Sequence, residues 1–256
     1  MAILTLTTDY GDKDYYVGAL KGALLASNPS LNIADISHQI PPFDIVHAAY
    51  VVKNAYSFYP KDTLHFVGVN NQNPEEEDFI LARLGDHWIL APDNGLVSLI
   101  SSDGIGEVFR YLKKNHQWSS FHESIGWMVA KFFSSPPPGE YSEAVSSMNN
   151  AIALTAIGGE NDIRGAIVHI DNYGNLVSNI HRDLFQEVCQ QRAFEILLKP
   201  HLTVNAVLNS LAGVPVGDTF ALFNAAGFLT FGVCMGDGST LHGISKGSTL
   251  QIKFRP

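Results

Sequence analysis

The first polar cluster of the chain follows its first predicted strand. Residues 2–7 are short, apolar and β-prone, and they lead directly into the run TDYG. At such a strand end, the carboxylate of Asp9 can accept two hydrogen bonds from a vicinal diol. The same residue types also form turns and helix N-caps, so Asp9 alone leaves both interpretations open. Asp12 and Asp14 follow closely and are typical of first-turn acids that suit a helix dipole.

A second polar cluster, IDNYGN, follows a predicted strand in the second half of the chain. It combines the acid Asp171, the aromatic Tyr173 and the amide Asn175. A hairpin loop would use Asn and Gly in the same way. Tyr173 also offers a stacking face, and Asn175 has a paired donor and acceptor that suit a purine edge. The pattern slightly favours a binding site over a plain turn.

Several common sites are missing from the sequence. No GxGxxG follows the first strand, and neither GxxxxGK[ST] nor GxSxG occurs. The PDNG run at residues 92–95 is a strong turn signal with a structural interpretation. The ten histidines form no HExxH, and His38, His47 and His65 are typical of core or surface residues. We therefore expect no metal ion and no nucleoside triphosphate.

The elements that must position these clusters change in kind near residue 160. Before it, predicted strands alternate with helices, as in a mainly parallel sheet that binds ligands at the carboxyl ends of its strands. Asp9 and Asn70 both lie at such ends. After it, β-like runs dominate, with one helical candidate from Arg182 to Gln190. The pattern predicts an α/β domain over residues 1–158 and a smaller all-β domain over residues 159–256.

Composition disfavours several classes of protein. Apolar residues make up 46% of the chain and charged residues 16%, which is typical of a globular protein. The net charge of −9 and the lack of a basic run argue against nucleic acid. Cys189 and Cys234 form no CxxC pair and suggest buried thiols in a reducing compartment. With no basic leader and no apolar run of about 20 residues, we expect a cytoplasmic protein without a membrane partner.

Four motifs, taken in order, resemble a known family. They are TTDYGDKDYYVGALKG at 7–22, ADISHQIPPFDIVHAAY at 34–50, APDNGLVS at 91–98 and IDNYGNLVSNI at 170–180. The family is that of the S-adenosylmethionine (SAM) hydroxide adenosyltransferases, which are hydrolases of SAM, with their relatives the fluorinases and chlorinases. Four ordered motifs over nearly the whole chain are far more specific than any one of them.

The resemblance implies an architecture and a reaction. It implies an α/β N-terminal domain, a β-barrel-like C-terminal domain, and a homotrimer with sites between the N-terminal domain of one subunit and the C-terminal domain of the next. The reaction is displacement at the ribose C5′, with water or halide as nucleophile and methionine as leaving group. Because the sulfonium leaves readily, catalysis consists mainly of positioning and desolvation, and no cofactor is needed beyond SAM as substrate.

The resemblance also implies roles for individual residues. Asp9 would hold the ribose hydroxyls, and Phe43 would pack on the ligand. Tyr173 would stack on adenine, and Asn175 would bond its edge. Asp171 would face the amino group of the methionine part, together with Asp14.

The chain departs from the family around the nucleophile. VGVNNQNPEEED replaces VVDPGVG, so the family's acid becomes Asn70 and its nearby Arg has no counterpart. The HGRD motif is reduced to FHES, which keeps His122. Asn73 and Glu123 stand at the loop positions of the halide pocket; we count Asn73 among the binding residues, whereas Glu123 would repel an anion. Hydrolysis therefore ranks above halogenation.

The family's NS[FR]G motif reads NAAG here, so Ala225 and Ala226 offer no side-chain donor to the methionine carboxylate. We predict hydrolysis of SAM to adenosine and methionine, with Asn70 and His122 positioning the water. Asparagine can hold a water but cannot take its proton. Two alternatives stay open: a binding protein for adenosine or SAM without chemistry, and turnover of another 5′-substituted adenosine.

Overall fold

The chain forms two compact units, over residues 1–152 and 153–256. The computed structural model describes residues 2–71, 78–101, 105–111, 120–134, 141–199 and 202–255. The sequence pattern predicted the boundary after residue 158. No helix in the described ranges is long and apolar enough to cross a membrane.

The described part of the first unit contains a seven-stranded sheet and its covering helices. The strands are β1 (Ile3–Thr8), β2 (Asn32–Ser37), β3 (Leu64–Gly68), β4 (Phe79–Leu84), β5 (His87–Pro92), β6 (Val108–Tyr111) and β7 (Ser142–Ala144). The helices are α1 (Tyr16–Ser27), α2 (Ile45–Lys53), α3 (Leu96–Ile100) and α4 (Phe121–Ser134), with a 3₁₀ turn at Tyr56–Phe58. The strand order is β2-β1-β3-β5-β4-β6-β7.

This sheet is mixed, so the expectation of a mainly parallel sheet was wrong. Strands β2, β1, β3 and β5 pair with one another in parallel, in that order. Strands β4, β6 and β7 pair in antiparallel fashion. The cause is the short turn between Leu84 and His87, which are paired, with Gly85 at φ 58°. A parallel pair needs a crossover of a dozen or more residues, so strands joined by a turn this short must be antiparallel.

The core of the first unit lies on both faces of this sheet. Successive residues of a strand point to opposite faces, so Phe66 packs in the cluster with α1 and α4, and Val67 in the cluster with α2 and α3. Burying an apolar side chain of this kind contributes about 1.5–3 kcal/mol. Gly126 lets α4 approach α1 closely, because a Cβ there would lie 2.6 Å from Ser27 Oγ. The two-sided burial holds the carboxyl ends of β1 and β3 in place.

The second unit is built around antiparallel strands. They are β8 (Ile157–Gly158), β9 (Asp162–Ile170), β10 (Leu176–His181), β11 (Phe194–Lys199), β12 (Leu202–Val204), β13 (Thr219–Phe223), β14 (Phe228–Val233) and β15 (Thr249–Phe254). The order is β12-β11-β15-β9-β10-β14-β13, with β8 beside β9. The two end strands, β12 and β13, lie close together, so the sheet is nearly barrel-shaped.

Two helices belong to this second unit. The helix predicted from Arg182 to Gln190 is confirmed as α5 (Arg182–Cys189), whereas α6 (Gly238–His242) was not predicted. Both cysteines are free, as expected. Cys189 is buried, but Cys234 is only partly buried, which corrects the expectation of two buried thiols. Cys234 lies just after β14 and takes part in a turn, where burial on all sides is not required.

Candidate functional site

Asp9 lies directly after β1, and its carboxylate joins three segments of the first unit. The backbone N–H of Phe43 donates to Asp9 Oδ2 at 2.9 Å, and the backbone N–H of Asn70 donates to the same oxygen at 3.1 Å. Within the described residues, Oδ1 accepts no hydrogen bond. One carboxylate oxygen is therefore held by the protein, and the other is available to a ligand.

The two residues that donate to Asp9 have unusual backbones. Phe43 has φ 68° and Asn70 has φ 59°. Positive φ is uncommon outside glycine, above all for a bulky aromatic residue, and costs of order 1–3 kcal/mol. Such strain concentrates at functional sites. Phe43 is also 62% exposed beside the loop of Asp9. The structure thus brings together three of the predicted site residues.

A buried histidine supports the loop that carries Asp9. His38 Nδ1 lies 2.8 Å from Thr8 Oγ1, and the His38 carbonyl accepts from Gly11 N–H at 2.8 Å. His38 Nε2 lies 3.2 Å from Asp35 Oδ1. Burial raises the pKa of Asp35, but the ion pair with Lys21, at 2.6 Å, and the nearby His38 outweigh this and lower it. His38 was expected only as a core or surface residue. It contacts Thr8 and Gly11, which lie before and after Asp9 in the loop.

Tyr10 is a neighbour of the site that residue patterns did not single out. Its hydroxyl accepts a hydrogen bond from Asn71 Nδ2 at 3.3 Å. Burial raises the pKa of Tyr10 to about 12; the Asn71 bond opposes this rise, and the charge of Asp9 adds to it. The hydroxyl therefore stays neutral at physiological pH and keeps a proton to donate. Its position beside Asp9 in the sequence was the available signal.

His122 is the second residue of α4 and is partly buried. Burial lowers its pKa, which favours the neutral imidazole. The preceding Phe121 ring lies 6.0 Å from that of Phe79. Phe79 pairs with Pro92 at the carboxyl end of β5. The start of α4 therefore lies at the edge of the sheet where Asn70 follows β3.

Asp14 is exposed, and no hydrogen bond within the described ranges holds it. Helix α1 begins at Tyr16, so Asp12 and Asp14 do not lie in its first turn, which corrects that interpretation. Asp12 instead accepts a hydrogen bond from the side chain of Gln39. Asn73 lies outside the described residues.

The IDNYGN cluster forms the loop between β9 and β10 in the second unit. Asp171 Oδ1 accepts the backbone N–H groups of Tyr173 and Asn175, each at 2.9 Å. Asp171 Oδ2 accepts the side-chain Nδ2 of Asn175 at 2.9 Å. Asp171 therefore organises the loop itself, as a turn-forming acid does. Tyr173 is 78% exposed, so its aromatic side chain is accessible for stacking.

Glycines set the position of this loop. A Cβ on Gly232 would lie 2.2 Å from Asn175 Oδ1, and a Cβ on Gly174, at φ 77°, would lie 2.1 Å from Asp237 Oδ1. The Gly174 carbonyl accepts from Ser239 N–H at 2.9 Å. The GDG run at residues 236–238, at the start of α6, thus supports the loop that carries Asn175. Sequence patterns missed this role because it depends on contacts between distant loops.

The NAAG segment is the turn between β13 and β14. Asn224 Oδ1 accepts the backbone N–H groups of Ala226 and Phe228, each at 3.0 Å. The turn therefore consumes the Ala226 N–H. Ala225 remains exposed. Ala225 and Ala226 have no polar side chain to bind a carboxylate, and the Ala226 N–H is already bonded to Asn224.

The predicted site residues are divided between the two units. Asp9, Phe43, Asn70 and His122 belong to the first unit, and Asp171, Tyr173 and Asn175 to the second. Within the described part of the chain, no group of three or more His, Cys, Asp or Glu residues is placed to hold a metal ion.

Comparison with known proteins identifies a family and several relatives of this chain. The family models for the SAM hydroxide adenosyltransferase N-terminal and C-terminal domains match residues 4–126 and 165–251. A protein of Methanocaldococcus jannaschii named (R)-S-adenosyl-L-methionine hydrolase is 29% identical over 187 residues, 71% of this chain and 68% of that one. One of the same name from Salinispora tropica is 23% identical over 260 residues, 97% of each chain.

A solved structure supports the fold over the whole chain. An uncharacterized conserved protein from Thermotoga maritima superposes with a TM-score of 0.84 and 25% sequence identity, covering 98% of this chain and 99% of that one. The two domain models, in order along one chain, cover most of its length. The chain therefore belongs to the SAM hydroxide adenosyltransferase family.

Proposed function

We propose that the protein hydrolyses SAM to adenosine and methionine by attack of water on the ribose C5′. The observation that carries the proposal is the Asp9 carboxylate, whose Oδ2 is held by two backbone N–H groups. Its Oδ1 is left to accept hydrogen bonds from the ribose diol. The names of the two relatives agree with this reaction.

The chemistry needs a positioned water more than a strong base. The water oxygen attacks C5′, the C5′–S bond breaks, and its electron pair goes to sulfur, which leaves as the neutral thioether of methionine. The attacking water then loses a proton. Asn70 can hold the water through its carboxamide but cannot take the proton. His122, whose neutral form is favoured by burial, is the group that can.

The remaining site residues bind the substrate in this proposal. Tyr173 stacks on the adenine, and Asn175, held in the Asp171 loop, bonds its edge. Phe43 packs against the ligand beside Asp9. The methionine amino group is bound by Asp171 and Asp14. Asn73 is also counted among the substrate-binding residues. No cofactor takes part.

Incubation of purified protein with SAM, followed by chromatography of adenosine, tests the proposal. We expect adenosine and methionine in equal amounts. A matched reaction with Asp12→Asn, an exposed acid of the same loop, should be unchanged. Adenosine no higher than in the enzyme-free blank would reject hydrolysis.

A second candidate is a protein that binds adenosine or SAM without chemistry. It is favoured by the carboxamide of Asn70, which stands where a proton acceptor would serve hydrolysis better. Calorimetry with adenosine should then show binding that Asp9→Ala abolishes. A silent titration with every adenosyl ligand would eliminate this candidate.

A third candidate is turnover of a different 5′-substituted adenosine that lacks the amino acid carboxylate. It is favoured by the NAAG turn, in which the Ala226 N–H is already bonded to Asn224. A panel of 5′-substituted adenosines compared at equal concentration distinguishes the cases. A preference for full SAM counts against this candidate.

We also propose a cytoplasmic homotrimer in which each ligand is held between subunits, the assembly that the resemblance implies. The two free cysteines agree with a reducing compartment. Light scattering coupled to size-exclusion chromatography tests the assembly. A monomer at micromolar concentration would contradict it.

A further inference from the structure

The peptide unit between Val69 and Asn70 is held at both ends. Its carbonyl, on Val69, accepts a hydrogen bond from Asn94 Nδ2 at 3.0 Å. Its N–H, on Asn70, donates to Asp9 Oδ2 at 3.1 Å. The C=O and N–H of one peptide lie in a plane and point in opposite directions. Two bonds from opposite sides therefore fix the rotation of that plane.

The donor side chain of Asn94 is itself fixed. Its Oδ1 accepts the backbone N–H of Leu96 at 3.2 Å, at the start of α3. Gly95 takes φ 91°, a conformation that suits glycine. The preceding Asp93 is held by Asn149, which donates from its backbone at 2.7 Å and from its side chain at 2.6 Å. The PDNG turn thus presents the Asn94 amide in one orientation.

We propose that Asn94 is a positioning residue for the proposed site. It sets the rotation of the Val69–Asn70 peptide, and so aims the Asn70 N–H at Asp9 and directs the Asn70 side chain. Asn70 has a left-handed backbone, φ 59°, which asparagine tolerates, and the bond from Asn94 holds the preceding peptide from outside the Asn70 loop. The Asn70 N–H holds Asp9 Oδ2 and so fixes the orientation of the carboxylate, on which the ligand contact argued for Oδ1 depends. The inference rests on the proposed function, since it concerns the same site.

Asn94→Asp separates this role from that of helix capping. Aspartate keeps an oxygen for the Leu96 N–H, so the start of α3 is retained and the protein should fold. It lacks the amide donor, and its second oxygen would face the Val69 carbonyl and repel it. The matched control is Asn149→Ala, which removes a side-chain amide bond to a carbonyl of the same turn, that of Asp93, without touching Val69.

The test combines adenosine affinity by calorimetry with hydrogen exchange of the Asn70 amide in ligand-free protein by NMR. We expect Asn94→Asp to weaken adenosine binding about tenfold and to speed exchange at Asn70 about tenfold, as for loss of one hydrogen bond. Asn149→Ala should change both the adenosine affinity and the exchange rate at Asn70 by less than about twofold, as is usual for a substitution away from the site.

An unchanged exchange rate at Asn70 in Asn94→Asp overturns the positioning role, whatever the ligand does. Equal effects of Asn94→Asp and Asn149→Ala overturn it too, because they would mark a general loosening of the turn. Faster exchange with unchanged affinity overturns the link to the ligand. If the wild-type protein binds and cleaves no adenosyl compound, the proposed function fails, and exchange alone then decides the role of Asn94.

Discussion

The backbone N–H of Asn70 donates to the carboxylate of Asp9 at 3.1 Å, although the two residues lie 61 positions apart. The parallel register of β1 and β3 brings them together, since Thr8 pairs with Gly68 at the ends of these strands. The contact therefore depends on the central sheet and not on a flexible loop. We therefore expect a change of charge at Asp9 to alter ligand affinity.

Asp9→Asn should weaken adenosine binding by about 10- to 100-fold, as expected when a charged hydrogen-bond acceptor is lost. The two N–H groups of Phe43 and Asn70 require an oxygen, so the amide nitrogen must face the diol. That nitrogen cannot accept the two bonds that a carboxylate oxygen accepts. Calorimetry with adenosine measures the effect. The exposed Asp12→Asn makes the same change of charge nearby and should bind normally; an equal loss in both variants contradicts the role of Asp9.

Phe43→Gly should raise stability and lower ligand affinity together. Glycine adopts φ 68° without strain, so the free energy of unfolding should rise by about 1 kcal/mol. The lost ring removes the aromatic surface that the proposal places on the ligand. Urea unfolding and adenosine calorimetry provide the two measurements. Asp62→Gly relieves the same kind of backbone, φ 61°, in an exposed turn and should leave affinity unchanged. Normal affinity in Phe43→Gly would remove Phe43 from the site.

Much of the first cluster could be predicted from the sequence because its signals are local. An apolar strand that ends in TDYG places Asp9 at a sheet edge, and β3 places Asn70 at the same edge by the parallel register. What the pattern does not contain is the direction of β4. Continuous apolar runs look alike in parallel and antiparallel strands, and only the short turn at Gly85 decides between them.

The IDNYGN loop of the second unit could be predicted only in part from the sequence. The composition of IDNYGN was readable, but the partners of Asp171 were not, and they all lie within the loop. The tight approach of Gly232 to Asn175 joins segments far apart in sequence. Residue types at one position cannot reveal such a contact, because it arises from the pairing of β10 with β14.

Asn70→Asp should raise the rate of SAM hydrolysis. Aspartate tolerates the left-handed backbone of this position and can accept a proton from the attacking water. General-base catalysis contributes typically about 10²- to 10⁴-fold, so a gain of at least about tenfold in kcat is expected. The neighbouring Asn71→Asp, which adds the same charge next to Tyr10, should give no gain. A slower enzyme after Asn70→Asp would show that the carboxamide itself is required.

The folded protein should lose stability in mild acid because of a buried histidine pair. His65 Nδ1 lies 2.7 Å from Thr5 Oγ1, and His65 Nε2 lies 3.3 Å from His87 Nδ1. The rings of Tyr56 and Tyr59 contact His65 edge-on. Burial, and then the neighbouring His87, lowers the pKa of His65 from 6.5 to about 3.

A histidine whose pKa is lower in the folded state stabilises the fold at high pH. As the pH falls below about 6.5, the unfolded chain takes up a proton that the folded chain does not. When the pH is lowered from 7.5 to 5, the free energy of unfolding should therefore fall by about 2 kcal/mol because of His65. Urea unfolding at both pH values measures this loss. His65→Gln keeps a polar group near Thr5 but cannot titrate, so its loss should be smaller by that amount; an equal loss would contradict the assignment.

Gly232→Ala should impair ligand binding through Asn175. The new Cβ would lie 2.2 Å from Asn175 Oδ1 and 2.4 Å from Phe220 Cζ, so the Asn175 side chain must move. Overpacking of this kind costs about 1–3 kcal/mol of stability. Because Asn175 is proposed to read the adenine edge, adenosine affinity should fall as well, by about tenfold if one hydrogen bond is lost.

The matched control is Gly165→Ala in β9, where a Cβ would lie 2.7 Å from Asn179 Oδ1 and 2.7 Å from Ile180 Cγ1. It overpacks the same sheet without touching the loop of Asn175. Thermal unfolding should show a loss in both variants, and calorimetry with adenosine should show a loss only in Gly232→Ala. If affinity falls equally in both, the effect is one of overall stability, and Asn175 does not contact the ligand in the way proposed.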